Sequence, residues 1–318
     1  MAAESLRDAY GEQLVEVGGK YKDLIVMDCD TSTSTKTVLF SRKYPERFFE
    51  MGIAEQSMVA TAAGLSLSGK KVFASTFAIF LTRAYEQMRQ SICYNNLDVK
   101  LVVSHAGLTV GEDGATHQII EDVGIMSGLP NMKVIVPVDS IETRSVINFL
   151  AEKTTTPYYV RLSREKFPVV NEPDYEFIPG KATTLKDGSD ITIIANGAMV
   201  GLSLEAAKGL KDKGIDARVV NMSSMKPIDR EAILKAARET GKIVTAEEHS
   251  IYNGLGSRVS EVTSEEYPVH VRRVGMKDTF GKSGKAWDLF DYFHMGVNDI
   301  IKETEGCFRE ERKYENIS

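Results

Sequence analysis

Short aliphatic and β-branched runs recur along almost the whole chain, separated by segments with helical spacing, and the runs do not alternate polar with apolar residues. In the first half they are Leu24-Ile-Val-Met27, Lys71-Val-Phe-Ala74, Val99-Lys-Leu-Val-Val103, Met132-Lys-Val-Ile-Val136 and Tyr158-Tyr-Val-Arg-Leu162. Helical patterns lie between them at about 6–21, 56–68, 82–95 and 140–153. A strand that is apolar on both sides belongs in a sheet covered on both faces, so the pattern predicts an α/β fold with three-layer α/β/α domains. The alternation breaks at Phe167-Pro-Val-Val-Asn-Glu-Pro-Asp-Tyr-Glu-Phe-Ile-Pro-Gly-Lys181, where three prolines and a glycine read as a linker. It resumes with Ile191-Thr-Ile-Ile194, Ala217-Arg-Val-Val220, Lys242-Ile-Val-Thr245 and Val269-His-Val-Arg-Arg273. Helical patterns at about 201–214, 229–240, 255–265 and 285–293 separate these runs. The expected organisation is a first domain at 1–168, a linker at 169–189, a smaller domain at 190–305 and a loosely held charged tail at 306–318.

Length and charge narrow the class. At 318 residues the chain is long enough for two ordinary domains, and its net charge of −6 argues against nucleic-acid binding. Three scattered cysteines, Cys29, Cys93 and Cys307, with no C-x-x-C pair, point to a reducing compartment. No apolar run approaches the ~20 residues of a membrane span, and residues 1–8 have no apolar signal core. The expectation is a cytoplasmic protein with neither membrane nor nucleic-acid partners.

Several constellations carry chemistry. Glu55 is a carboxylate at the end of an apolar stretch, just before the small-residue helix pattern Met58-Val-Ala-Thr-Ala-Ala-Gly-Leu65. A buried acid needs a partner or takes up a proton, and a protonated carboxyl can hydrogen-bond a ring nitrogen. His105 and His117 bracket a glycine-rich loop, Ser104 to Gln118, directly after a strand, where α/β sheets hold ligands. Clustered titratable groups there favour a site over an ordinary surface loop. Asp113, His117 and Glu121 have i, i+4, i+8 spacing, but Gly114 argues against the helix that a metal site would need. Glu112-Asp113-Gly114 lacks the downstream Asn of a diphosphate–magnesium motif, since Asn131 comes too early. Gly254-Leu-Gly256 reads as a turn opening a helix, and neither a G-x-S-x-G elbow nor a Walker loop is present. Phe77, Phe80 and Arg83 would share one helical face, as a core aromatic pair or as a slot for a flat heteroaromatic ring. Arg161 and Arg164 end a strand, as surface charges or as a fork for a sugar phosphate.

Five of these segments, in order, resemble the C-terminal portion of transketolase, and the resemblance covers nearly the whole chain: Met51-Gly-Ile-Ala-Glu-Gln56, Thr76-Phe-Ala-Ile-Phe-Leu-Thr-Arg83, Gly111-Glu-Asp-Gly-Ala-Thr-His-Gln118, Leu162-Ser-Arg-Glu-Lys-Phe-Pro168 and Val244-Thr-Ala-Glu-Glu-His-Ser-Ile-Tyr-Asn-Gly-Leu-Gly-Ser257. The resemblance implies a thiamine-diphosphate pyrimidine-binding domain followed by a transketolase C-terminal domain that serves mainly in assembly. It implies that Glu55 bonds the aminopyrimidine ring nitrogen and favours the imino tautomer that deprotonates the thiazolium. Phe77 and Phe80 would line the pyrimidine pocket, with Arg83 and Asp30 also at the cofactor. His117 and Asp113 would contact substrate hydroxyls or the carbonyl, His117 with an acid–base role. His105, Arg164, Ser34 and Arg7 would hold the sugar phosphate. The family's diphosphate- and Mg²⁺-binding half has no counterpart in this sequence. The chain therefore looks like the C-terminal subunit of a split transketolase, a homodimer core of an α2β2 assembly with an N-terminal partner subunit carrying the metal. The expected reaction is ketol transfer from a ketose phosphate to an aldose phosphate in the pentose phosphate pathway. Arg83, in place of a tyrosine, leans toward 1-deoxyxylulose-5-phosphate synthase, while His105 leans back to transketolase. A 2-oxo acid dehydrogenase β subunit and a non-catalytic regulatory subunit stand as rival readings.

Overall fold

Strand β1 (Ala3–Ser5) leads into helix α1 (Leu6–Lys20), whose first turn is capped by Ser5 accepting the Asp8 amide at 3.2 Å. The structure, a computed structural model, describes residues 2–315. The first half continues with β2 (Leu24–Asp28), β3 (Phe48–Glu50), α2 (Glu55–Leu67), β4 (Lys71–Ser75), β5 (Val99–Val103), β6 (Lys133–Ile135), α3 (Ser140–Glu152), β7 (Tyr158–Arg161) and β8 (Lys166–Pro168). The second half holds β9 (Thr183–Lys186), β10 (Ile191–Ala195), α4 (Ala198–Lys211), β11 (Ala217–Asn221), β12 (Ser224–Lys226), α5 (Arg230–Thr240), β13 (Lys242–Ser250), α6 (Leu255–Glu266), β14 (His270–Met276), α7 (Ala286–Tyr292) and α8 (Val297–Glu315).

Two sheets organise these elements among the described residues. The first has the order β12-β6-β7-β5-β4-β2-β3 and the second β14-β13-β10-β11-β9. Pairing is parallel throughout except at β12–β6 and β11–β9. Every residue of β2, β5, β10 and β11 is buried, the physical reason that the strand sequences lack polar alternation. Lys100 of β5 is one costly exception, fully buried and paired with Asp98.

Three features depart from the expectations. β12 belongs to the second half of the chain but pairs antiparallel with β6, Ser224 opposite Ile135, so the first sheet ends on a borrowed strand. The segment 82–95 is not one helix: a short helix at Ala78–Leu81 tightens to a 3₁₀ turn at Thr82–Ala84 and widens to a π-helix at Met88–Cys93. The tail expected from 306 begins inside α8, with Cys307 buried, and only its residues 316–318 lie outside the described residues. The stretch expected as a linker contains β9 and is tied down by a reciprocal cap. Asp139 accepts Glu142 N–H at 2.8 Å, Glu142 accepts Val138 N–H at 2.8 Å, and Asp139 also takes the amides of Val170 and Asn171. As read from the sequence, Gly254 stands at the N-cap of a helix, α6.

The short antiparallel pair β1–β8 matters most for function. With Ser5 opposite Lys166, it sets Arg7 beside the Arg164 segment, 157 positions away in sequence.

Candidate active site

The carboxyl ends of β2, β4, β5 and β7 bring the predicted residues together in three groups. At the first, β3 runs out at Glu50, whose Oε1 accepts the amides of Asp30 (2.7 Å) and Gly52 (3.1 Å). Gly52, at φ +67°, makes the turn that delivers Glu55 to the first position of α2. Glu55 is only 4% exposed, and no described residue donates a hydrogen bond to its carboxylate. With Ile53, Ala54, Gln56, Ser57 and Arg83 it lines a cavity of about 290 Å³. Gln56 Nε2 donates to the Arg83 carbonyl at 3.2 Å, fastening α2 to the turn that follows β4.

That turn carries the second group. Phe77 sits in extended backbone (φ −73°, ψ 146°), ahead of the helix rather than within it. Its strand geometry continues into Ser104 after β5, with Ala78 N–H donating to the Ser104 carbonyl at 2.8 Å. Phe77 stacks on Phe80 at 5.2 Å and 14°, and on His105 at 3.7 Å and 16°; Phe80 meets His117 edge-on at 5.5 Å. Four rings thus form one ladder, with partly exposed Phe77 and Phe80 in the middle. Arg83 does not share their face in the way helical spacing predicted, because the helix tightens at Thr82; it joins the Glu55 cavity instead.

His105 adopts φ +55°, and its Nδ1 lies 2.9 Å from Ser104 Oγ. Burial, reinforced by the charges of Arg7 and Arg164 and by His117, pushes its pKa down to about 3. It is therefore a neutral hydrogen-bonding ring at working pH, not a cation. His117 is half-buried, with Nδ1 3.0 Å from Thr116 Oγ1.

The third group is cationic. Arg7 Nη1 donates to the Ser34 carbonyl at 2.9 Å and Nη2 to the Arg164 carbonyl at 3.0 Å, while its buried Nε has no partner. Burial lowers the pKa of Arg7 from a value far above neutrality. Arg164 Nη1 donates to the Val110 carbonyl and to Asp113 Oδ1 at 3.4 Å, with Glu112 Oε2 at 3.8 Å. Two guanidinium groups, a neutral imidazole and the Ser34 turn make a cationic cluster suited to a tetrahedral oxyanion.

Two sequence assignments need redistribution. Asp30 is exposed at φ +57°, and its side chain makes no hydrogen bond among the described residues. Asp28 is the acid that builds this region: fully buried, it accepts from Thr31 N–H and Oγ1 (2.8 Å each), Thr35 Oγ1 (2.7 Å) and Thr37 Oγ1 (2.8 Å). The hydroxyl-rich run Thr31-Ser-Thr-Ser-Thr35 after an aspartate was the available signal. Arg161 does not join this cationic cluster. It is 3% exposed, bonded to Asp122 at 2.9 Å and to the Glu248 carbonyl at 2.9 Å, with Tyr159 OH on Asp122 at 2.7 Å. Asp113 ends a 3₁₀ helix and residues 114–121 are not helical, so Asp113, His117 and Glu121 share no helix face. Among the described residues no cluster of three acids, histidines or cysteines could hold a metal, and no helix is long and apolar enough to cross a membrane.

A buried acid that no described residue bonds, tied through Gln56 to the turn that carries a stacked phenyl pair, suits a flat nitrogen heterocycle. Glu55 is placed to meet a ring nitrogen, and the Phe77–Phe80 pair to pack a ring face, so these residues fit the pyrimidine of thiamine diphosphate.

Residues 3–169 match the model of the transketolase pyrimidine-binding domain, and residues 180–300 match that of the transketolase C-terminal domain. A Methanocaldococcus jannaschii chain, by name a transketolase C-terminal section, is 46% identical over 94% of this chain and 95% of its own length. An apulose-4-phosphate transketolase subunit of Phocaeicola vulgatus is 40% identical over 93% and 95%. The solved structure of a split-gene transketolase, an inactive beta4 tetramer, is 49% identical with a TM-score of 0.89, covering 95% of this chain and 98% of that one.

Proposed function

We propose, on the premise that this chain belongs to the transketolase family as a C-terminal section, that it is the C-terminal subunit of a two-chain, thiamine-diphosphate-dependent ketol transferase. The observation that carries the reading is the buried carboxylate of Glu55, which no described residue bonds, at the start of a helix that Gln56 fastens to the turn carrying the Phe77–Phe80 stack. When bound, the cofactor supplies the nucleophilic carbon and the electron sink for moving a two-carbon unit. This chain supplies the groups around it. Glu55 holds a proton against the aminopyrimidine nitrogen, and Phe77 and Phe80 pack the ring. Arg83 lines the opening beside Glu55, and Asp30 stands at the turn after β2, its amide held by Glu50. His117 and Asp113 engage the sugar carbonyl and hydroxyls, with His117 moving a proton at the carbonyl oxygen. Arg7, Arg164, Ser34 and neutral His105 hold the terminal oxyanion, taken as a phosphate, and so fix the distance from that end to the reacting carbon. The N-terminal partner would hold the diphosphate and Mg²⁺, and the assembly would be α2β2.

The test is direct. The chain is mixed with the N-terminal subunit from the same source, thiamine diphosphate, Mg²⁺, a ketose phosphate donor and an aldose phosphate acceptor, and product ketose is measured. Turnover that needs both subunits supports the reading. Oxidative decarboxylation with a lipoyl acceptor in place of ketol transfer would point to a 2-oxo acid dehydrogenase, and absence of cofactor binding to the mixed subunits would point to a regulatory role.

A further inference from the structure

His117 lies at the end of a loop in which Gly107 (φ +77°), Gly111 (φ +75°) and Gly114 (φ +79°) all take left-handed backbone. Such a loop has little rigidity of its own, and a proton-transferring ring must be held to within a fraction of an ångström. The second half of the chain supplies the constraint from two sides. From below, Glu248 of β13 accepts the Thr109 amide at 2.6 Å while paired with Arg161. From above, the segment between β14 and α7 lies on the loop. Gln118, next to His117 and 3% exposed, donates both amide protons: to the Gly111 carbonyl at 3.1 Å and, across the domains, to the Lys282 carbonyl at 2.9 Å. Two carbonyl acceptors require the amide nitrogen at that position.

We propose that the second domain is a positioning element for catalysis, acting through Gln118, whose amide clamps the His117 loop to the Gly281–Gly284 segment. The inference rests on the assignment of His117 above. Glycine at 281 and at 114 is what the contact requires. A Cβ on Gly281 would overlap Gln118 Oε1, and one on Gly114 would overlap Ser283 Oγ. The backbone of Gly281, unlike that of Gly114, lies outside the left-handed region, so alanine at 281 suffers no backbone strain. Its Cβ acts chiefly by displacing a glutamine that two hydrogen bonds hold in place, with Leu108 Cδ2, at 3.3 Å, having to give only slightly. Gln118 is thus a positioning residue, and Gly281 makes room for it from the other domain.

Gly281→Ala changes the second domain alone, and Gln118→Ala removes the group that it would displace. In the assembled enzyme, each single variant should lose roughly 10- to 100-fold in kcat/KM, as expected for sub-ångström misplacement of a reacting group. The double variant should lose no more than Gln118→Ala alone, because the overlap has gone. In the isolated full-length chain, the ring resonances of His117, assigned by their loss in His117→Gln, should shift in Gly281→Ala and return toward the Gln118→Ala positions in the double variant. Wild-type His117 resonances and wild-type kcat/KM in Gly281→Ala would overturn the proposal, as would additive losses in the double variant. The resonance arm needs no turnover, so it decides the clamp even if ketol transfer is not the reaction.

Discussion

Two buried glutamates, one in each half of the molecule, show how the same side chain is used in opposite ways. Glu55 and Glu248 are 4% and 2% exposed. Glu248 is saturated: Thr109 donates to one oxygen, Arg161 faces the other, and burial nevertheless raises its pKa. Its neighbours at the end of β13 are equally occupied. Glu247 accepts the amides of Leu255 and Gly256 at the start of α6, and His249 is bonded to Ser250 and Gly124. Glu55 receives no hydrogen bond from any described residue. The acids at the end of β13 are spent on holding the fold, whereas the first half leaves one buried acid without a bond from any described residue, where a ligand can complete it.

Substitution tests the contrast. Glu55→Gln should cost about 10²- to 10⁴-fold in ketol transfer while changing unfolding free energy by about 1 kcal/mol or less, since no internal bond is lost. A large loss of stability in that variant would show that Glu55 has a structural partner after all. Glu248→Ala should do the reverse, lowering unfolding free energy by about 3–5 kcal/mol in denaturant titration, because it leaves Arg161 buried opposite only Asp122. A variant as stable as wild type would remove the contrast. Asp28→Ala asks whether the first sheet also has saturated acids. It should cost about 1–3 kcal/mol, one buried hydrogen-bonded group, and raise KM for the anionic donor by loosening the turn that carries Ser34. Unchanged KM would separate that turn from the cationic cluster.

The smallest effect concerns His105. Its folded pKa of about 3 lies below the ordinary 6.5, so the unfolded chain binds the proton that the folded chain refuses. Its contribution is fully present above pH 6.5 and is lost as pH falls from 6.5 toward 3. The stability difference between wild type and His105→Gln should shrink over that interval. A constant difference would mean that His105 is protonated in the folded state.

Much of this was legible in sequence, for a physical reason. The strands β2, β4, β5 and β10 and the helices α1, α2 and α3 fall within a residue or two of the segments expected, because local periodicity records which side of an element faces the core. The stacked pair Phe77 and Phe80 was also readable from spacing, although Phe77 precedes the helix. β12 was not, since three residues, Ser-Met-Lys, carry no period and join a sheet from the other half of the chain. Nor was the difference between Arg161 and Arg164, two arginines three positions apart that end in different worlds, one in a buried ion network and one half-buried beside Asp113 and Arg7.

The alternation of strands and helices, the two-part α/β architecture and the residue types available for chemistry are thus written along the chain itself. Which polar groups are already satisfied is settled only when distant segments meet. Arg161 meets Glu248 across 87 positions, Gln118 meets Lys282 across 164, and Arg7 meets Arg164 across 157. Apolar burial depends on near neighbours and leaves a period in the chain. A hydrogen bond depends on one partner at one distance and angle, and nothing local in the sequence records where that partner will be.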